Sequence, residues 1–346
     1  MKHILLILLG CVAACGDSGE SNAEFTKAVV TSMHDSIASD LADLQQAARD
    51  LQAAAPTPSG RGWDATLDAT AIDAMKAAWV RTRTSYEHVE GATAPIFPMA
   101  DVTMDARYDD FLTMLGTAGD PDAFDGTGVT GMHGIERILY APGIRPEVIA
   151  FESTLPGYRA AAFPATEAEA AEFKTGIAQK LIDDADALHD QWVSAATIDI
   201  GAAYQGLVGL MNEQKEKVNL AATGEEESRY ANDTLFDLRN NLDGTKKVYE
   251  LFRDWIAARN GDPDDTAIEE KFTSLSALYD SNAGDALPPV PATWSSDNPT
   301  AADQATPFGM LWVQVHADVD PQTAGSIVFS MNQIATLLGF PQFEEN

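Results

Sequence analysis

The chain has 346 residues, enough for two ordinary domains or one large one, and an ordinary apolar share of 45%. Lys and Arg number 22 against 53 Asp and Glu, a net charge of −31 at pH 7. That field repels phosphate backbones and excludes nucleic acid as a partner; it fits a solubility or salt adaptation of the whole surface, and it also draws cations.

Residues 1–15 are read as a lipoprotein signal peptide. Lys2 and His3 precede the apolar run Ile4–Ala14, which is too short to span a bilayer as a helix. The run ends at Val12-Ala13-Ala14-Cys15, ahead of the polar stretch Gly16–Glu20. This resembles a bacterial lipobox, in which Cys15 is lipidated and becomes the first mature residue. Leu8-Leu9-Gly10-Cys11 is an alternative box with a shorter apolar run. Both cysteines lie here, so disulfides, thiolate metal sites and Cys nucleophiles are excluded from the mature body. No later segment is long and apolar enough to cross a membrane.

From Glu24 to Ala55, Val30, Met33, Ile37, Leu41, Leu44 and Leu51 recur at helical spacing. Pro56–Gly62 breaks the chain. A second helix is predicted near Asp68–Glu90, with Ile72, Met75, Trp79, Tyr86 and Val89 on one stripe, stopped by Ala94-Pro-Ile-Phe-Pro98. A short helix holds Tyr108, Phe111, Leu112 and Leu115. A loop rich in Gly, Asp and Pro leads through 116–131 into a helix carrying His133. Beyond it, helices are predicted over Ala165–Ala196, Ile200–Leu220, Thr234–Ala258 and Asp265–Tyr279. A Pro-rich connection follows at Leu287–Pro299, and one or two closing helices end at Leu337–Phe340. No run alternates like a strand. The expectation is an all-α protein of two tandem helical bundles, residues 16–160 and 161–346, divided near Tyr158–Pro164.

Three stretches carry chemistry. In Gly131-Met-His133-Gly-Ile-Glu136, residues three apart place an imidazole and a carboxylate on one helix face. Such a pair binds a metal, moves a proton, or simply holds two helices together. The zinc-protease forms fail, because the inverted motif needs His where Arg137 stands. One His with several carboxylates still suits iron, manganese or zinc. Next, Trp79, Arg83, Tyr86 and Glu87 share a face, and Glu87 is a further ligand candidate or else an ion-pair partner of Arg83. Finally, Glu225–Thr234 followed by Asp237 and Asn241 is dense in carboxylates and hydroxyls; it either caps a helix or builds part of a polar site. No Gly-x-Ser-x-Gly elbow, P-loop or dinucleotide fingerprint is present.

These stretches, in this order and after a lipobox, resemble the imelysin-like family, whose hallmark Gly-x-His-x-x-Glu is Gly131–Glu136 here. The Trp79/Arg83/Tyr86/Glu87 helix and the Glu226–Asp237 stretch match its flanking motifs, although Glu227 and Arg229 stand where many members carry smaller or His-like residues. The resemblance implies two four-helix-bundle-like domains, an extracytoplasmic location and a role in iron uptake. On this reading the protein is lipid-anchored at Cys15. It binds iron, another divalent metal or a metal chelate at an inter-bundle site, with His133, Glu136 and Glu87 at the centre. Arg83, Tyr86, Ser228 and Asp237 stand at its rim, and iron-uptake proteins are its partners. The family was first described as peptidases; the failed protease spacing argues against carrying that activity over. A metallopeptidase and a metal-free surface adaptor with a structural His133/Glu136 pair are the alternatives.

Overall fold

A computed structural model describes residues 21–57 and 59–345, so Cys11, Cys15 and the expected signal peptide lie outside the described residues. Helix α1 (Asn22–Ala54) opens on a reciprocal cap. The Ser21 hydroxyl accepts from the Glu24 amide, and the Glu24 carboxylate accepts from the Ser21 amide at 2.6 Å. Its stripe of Phe25, Val29, Met33, Ile37, Leu41, Leu44 and Leu51 is buried. Helix α2 (Ala69–Glu87) packs along it through Ile72, Met75 and Trp79.

Short helices follow: α3 (Glu90–Thr93), α4 (Pro98–Asp105), α5 (Tyr108–Leu115), α6 (Gly131–Leu139) and α7 (Pro146–Glu152). The chain then returns to α1 as α8 (Glu167–Thr175) and α9 (Ile177–Ser194). The single helix expected over 165–196 is broken at Gly176. There the Ile177 amide donates to the Phe124 carbonyl at 3.1 Å instead of continuing the helical ladder. A Cβ on Gly176 would sit 2.5 Å from that same oxygen, so only glycine lets the 119–130 loop press into the break.

A second group of helices gathers around α10 (Ile200–Leu220), which packs on α3, α11 (Thr234–Tyr249), α15 (Pro307–Val319) and α16 (Ile327–Leu338). Helix α13 (Asp262–Asp280) joins α11 and α16, with α12 (Arg253–Ala258) and α14 (Ala301–Gln304) as short connectors. The structure is all-α, with no strand among the described residues, and no described helix is long and apolar enough to cross a membrane. One apolar core runs from Phe25 to Leu338 through both groups. The expected boundary at residue 160 falls inside the first contact group, whose last helix is α9. The 106–160 segment adds a small core of its own, in which Tyr108, Phe111, Val148 and Tyr230 meet.

Candidate metal centre

The site begins with a glycine. Gly131 starts α6 at φ +72°, and a Cβ there would lie 2.6 Å from the Met104 carbonyl oxygen. Any other residue would push the start of α6 off the end of α4. The close approach brings His133, in the first turn of α6, beside Asp105, the last residue of α4. From the other side, the Trp79 indole of α2 donates to the Met132 carbonyl at 3.0 Å and pins the same turn.

His133 is 1% exposed. Its Nδ1 lies 2.8 Å from Glu136 Oε2. The other oxygen of Glu136 accepts from the Tyr230 and Ala231 amides, at 2.9 and 2.8 Å. Glu136 is therefore spent behind the ring, orienting it. Nε2 points the opposite way, 3.4 Å from Asp105 Oδ1 and 3.6 Å from Glu227 Oε1, with no hydrogen-bond partner. The three donor atoms lie within 4.8 Å of one another. Metal bonds of about 2.0–2.2 Å to N and O require donor–donor edges of about 3.0–3.6 Å, so the two edges from Nε2 already suit one cation, which would share Asp105 Oδ1 with Arg83. One imidazole with carboxylates is a donor set for iron, manganese or zinc.

The charges around this set are unusual for a protein interior. Arg83, fully buried, pairs with Glu87 and Asp105 and stands 3.4 Å from Asp237 and 3.5 Å from Glu227. Lys217 of α10 donates to Asn241 Oδ1 at 2.9 Å, with Glu227 at 3.6 Å and Glu87 at 3.9 Å. Asn241 in turn donates to Glu87 and, at 2.9 Å, to Glu90. Two fixed cations thus face five carboxylates, those of Glu87, Glu90, Asp105, Glu227 and Asp237.

Burial decides which acids keep protons. It pushes Glu87 well above its ordinary value, Glu90 up to about 7 and Asp237 up to about 6, against the pull of Arg83 and Lys217. At Asp105 burial is outweighed by Arg83 and His133, and at Glu227 by Lys217, His133 and Arg83, so both fall below the usual carboxylate range. Burial and Arg83 press the His133 ring towards neutrality. The carboxylates of Asp105, Glu136 and Glu227 outweigh them and hold it well above its ordinary value. Of the three donor groups, only His133 holds a proton that a cation would replace; Asp105 and Glu227 are already ionised. Asp105, Glu227 and Lys217 line a cleft of about 180 Å³, together with Glu90, Arg107, Glu213 and Glu216.

Of the residues singled out in the sequence, His133 and Glu136 meet directly, but only His133 faces the gap between the carboxylates. Glu87 joins through Arg83 and Asn241 and does not face Nε2. Tyr86 turns away, its hydroxyl donating to Asp101 at 2.6 Å. Ser228 and Asp237 are fully buried at the edge, Asp237 against Arg83. Asp105 and Lys217 were not anticipated. Asp105 follows Pro98 in a segment too short for a period to emerge. Lys217 reads as an ordinary charge on a long amphipathic helix.

A family model described as Imelysin (Peptidase_M75) matches residues 30–297. An "Efem/EfeO family lipoprotein" of Staphylococcus haemolyticus (strain JCSC1435) is 25% identical over 321 residues, 89% of this chain and 96% of its own length. Another of that description, from Staphylococcus aureus (strain MSSA476), is 34% identical over 105 residues, 30% of this chain and 34% of its own. The crystal structure of an imelysin-like protein from Psychrobacter arcticum 273-4 superposes with a TM-score of 0.60 at 13% identity. The match covers 94% of this chain and 99% of that one.

Proposed function

The chain belongs to the imelysin family, and on that footing we propose that it is an extracytoplasmic, lipid-anchored protein of iron uptake that carries a metal cation as cargo. The cation is held by His133 Nε2, Asp105 and Glu227. Glu136 aims the ring, while Arg83, braced by Glu87, balances the charge behind the carboxylates. Ser228 and Asp237 close the rim. Lipidation at Cys15 supplies the membrane attachment, in keeping with the "lipoprotein" description of its relatives, and iron-uptake proteins receive or deliver the cargo.

One observation carries this reading. A buried imidazole nitrogen, its ring backed by Glu136, faces two ionised carboxylates at 3.4 and 3.6 Å, and both carboxylates stand on the wall of an open cleft. No well-formed hydrogen bond joins that nitrogen to either acid, and a cation between them would satisfy all three groups. The peptidase alternative finds less support. Glu136 already serves His133 and two backbone amides, so it is not free to act as a base. Arg137, in the place of a second His, is paired with Glu152 at 3.0 Å and stacked on Tyr108. The test is calorimetric titration of the purified protein with ferrous, ferric and zinc ions. His133→Ala and Asp105→Ala should each abolish high-affinity binding. Unchanged binding in both would overturn the ligand assignment.

A further inference from the structure

Helix α10 sets Glu213, Glu216, Lys217 and Leu220 along one wall of the cleft that Asp105 and Glu227 also line. Their spacings of three, four and seven keep them on one face. Lys217 is 4% exposed, and its ammonium reaches Asn241 Oδ1 at 2.9 Å, Glu227 Oε2 at 3.6 Å and Glu87 Oε2 at 3.9 Å. Glu227 therefore faces two ways: Oε1 towards His133 and Arg83, Oε2 towards Lys217. A cation bound to Glu227 would sit within a few ångström of the ammonium. At an effective interior dielectric, like charges that close weaken binding by well over about tenfold. Glu213 lies four residues before Lys217 on the same face and lines the same cleft; burial pushes its carboxyl up to about 8, so it can take a displaced ammonium by giving up its proton.

Building on the cation-carrier reading, we propose that Lys217 sets the affinity of the site as an internal competitor. Its ammonium neutralises Glu227 in the cation-free protein and shifts to Glu213 when a cation arrives. The fixed charge keeps the vacant, carboxylate-rich interior folded. It also holds the affinity low enough for cargo to be handed on, which a site opposed by Arg83 alone would resist. On loading, three bonds to the cation replace the Lys217–Glu227 pair and the proton on His133 Nε2, which leaves to solvent; on release the ammonium regains Glu227 and the ring its proton.

The test titrates wild type, Lys217→Gln and Glu213→Gln with zinc and, anaerobically, ferrous ions, alongside thermal melts with and without cation. Lys217→Gln should melt lower without cation yet bind about tenfold or more tightly, and gain more in Tm from the cation than wild type does. Glu213→Gln should weaken binding several-fold, because the displaced ammonium loses its second seat. Glu213 is only partly buried, so that variant keeps the test decisive should Lys217→Gln fail to fold. Unchanged or weaker binding in Lys217→Gln, or unchanged binding in Glu213→Gln, overturns the competitor role while leaving His133-dependent binding in wild type intact. Failure of wild type to bind either ion would instead overturn the carrier reading itself.

Discussion

The two halves of α2 face interiors of opposite kind. Its first half buries Ile72, Met75 and Trp79 in the apolar core shared with α1. One turn later the same helix buries Arg83 and Glu87, both without exposed surface, among carboxylates. In the first half each side chain contributes through its own contacts. In the second no group is stable alone, since Arg83 needs its acids and they need it. Well-packed apolar residues would serve stability at least as well as such a buried charge network. Its presence beside an imidazole that faces two ionised carboxylates without a well-formed hydrogen bond to either points to what the protein does rather than to what holds it together.

The contrast breaks or sharpens on four measurements. Arg83→Met leaves Asp105, Asp237 and Glu227 short of their counter-charge, and should cost about 3–5 kcal/mol in denaturant unfolding. A loss below about 1 kcal/mol would mean the acids simply take up protons. Met75→Ala, two turns earlier, should cost about 2–4 kcal/mol through its cavity while leaving cation affinity untouched. A large change in affinity would show that the two halves are not separable.

Glu136→Gln keeps the shape but weakens the aim of His133, and should reduce cation affinity by about 10–100-fold with little change in melting temperature. The smallest effect is that of pH. A cation must displace the His133 proton, which the surrounding carboxylates retain to well above the ring's ordinary value. Below that raised value each bound cation releases a proton, so affinity should rise by about tenfold per pH unit and flatten only above it. Protons on Glu90, near 7, and Asp237, near 6, add to the release around neutrality. Titration at several pH values checks this; affinity that falls as pH rises would break it.

Much of this was legible beforehand. The α1 stripe from Met33 to Leu51 and the α2 stripe from Ile72 to Tyr86 follow from helical period, because burial selects apolar residues at that spacing. His133 and Glu136 share a face for the same local reason. Glu227 was visible as a charge in an acidic turn, but the direction of its carboxylate was not. The turn is held by Tyr230 and Ala231, whose amides are tied to Glu136, 94 and 95 residues away.

By itself the sequence determined the helices, the excess of acid and the pairing of an imidazole with a carboxylate, since all of these depend on neighbours within a few residues. Only the tertiary structure decided which carboxylates the imidazole meets. Asp105 reaches His133 because Gly131 has no Cβ to hold α4 and α6 apart. Glu227 reaches it because the 225–233 turn folds over α6, and Lys217 arrives on α10 from the other group of helices. Those contacts are fixed by long-range packing and charge balance, which no local period records.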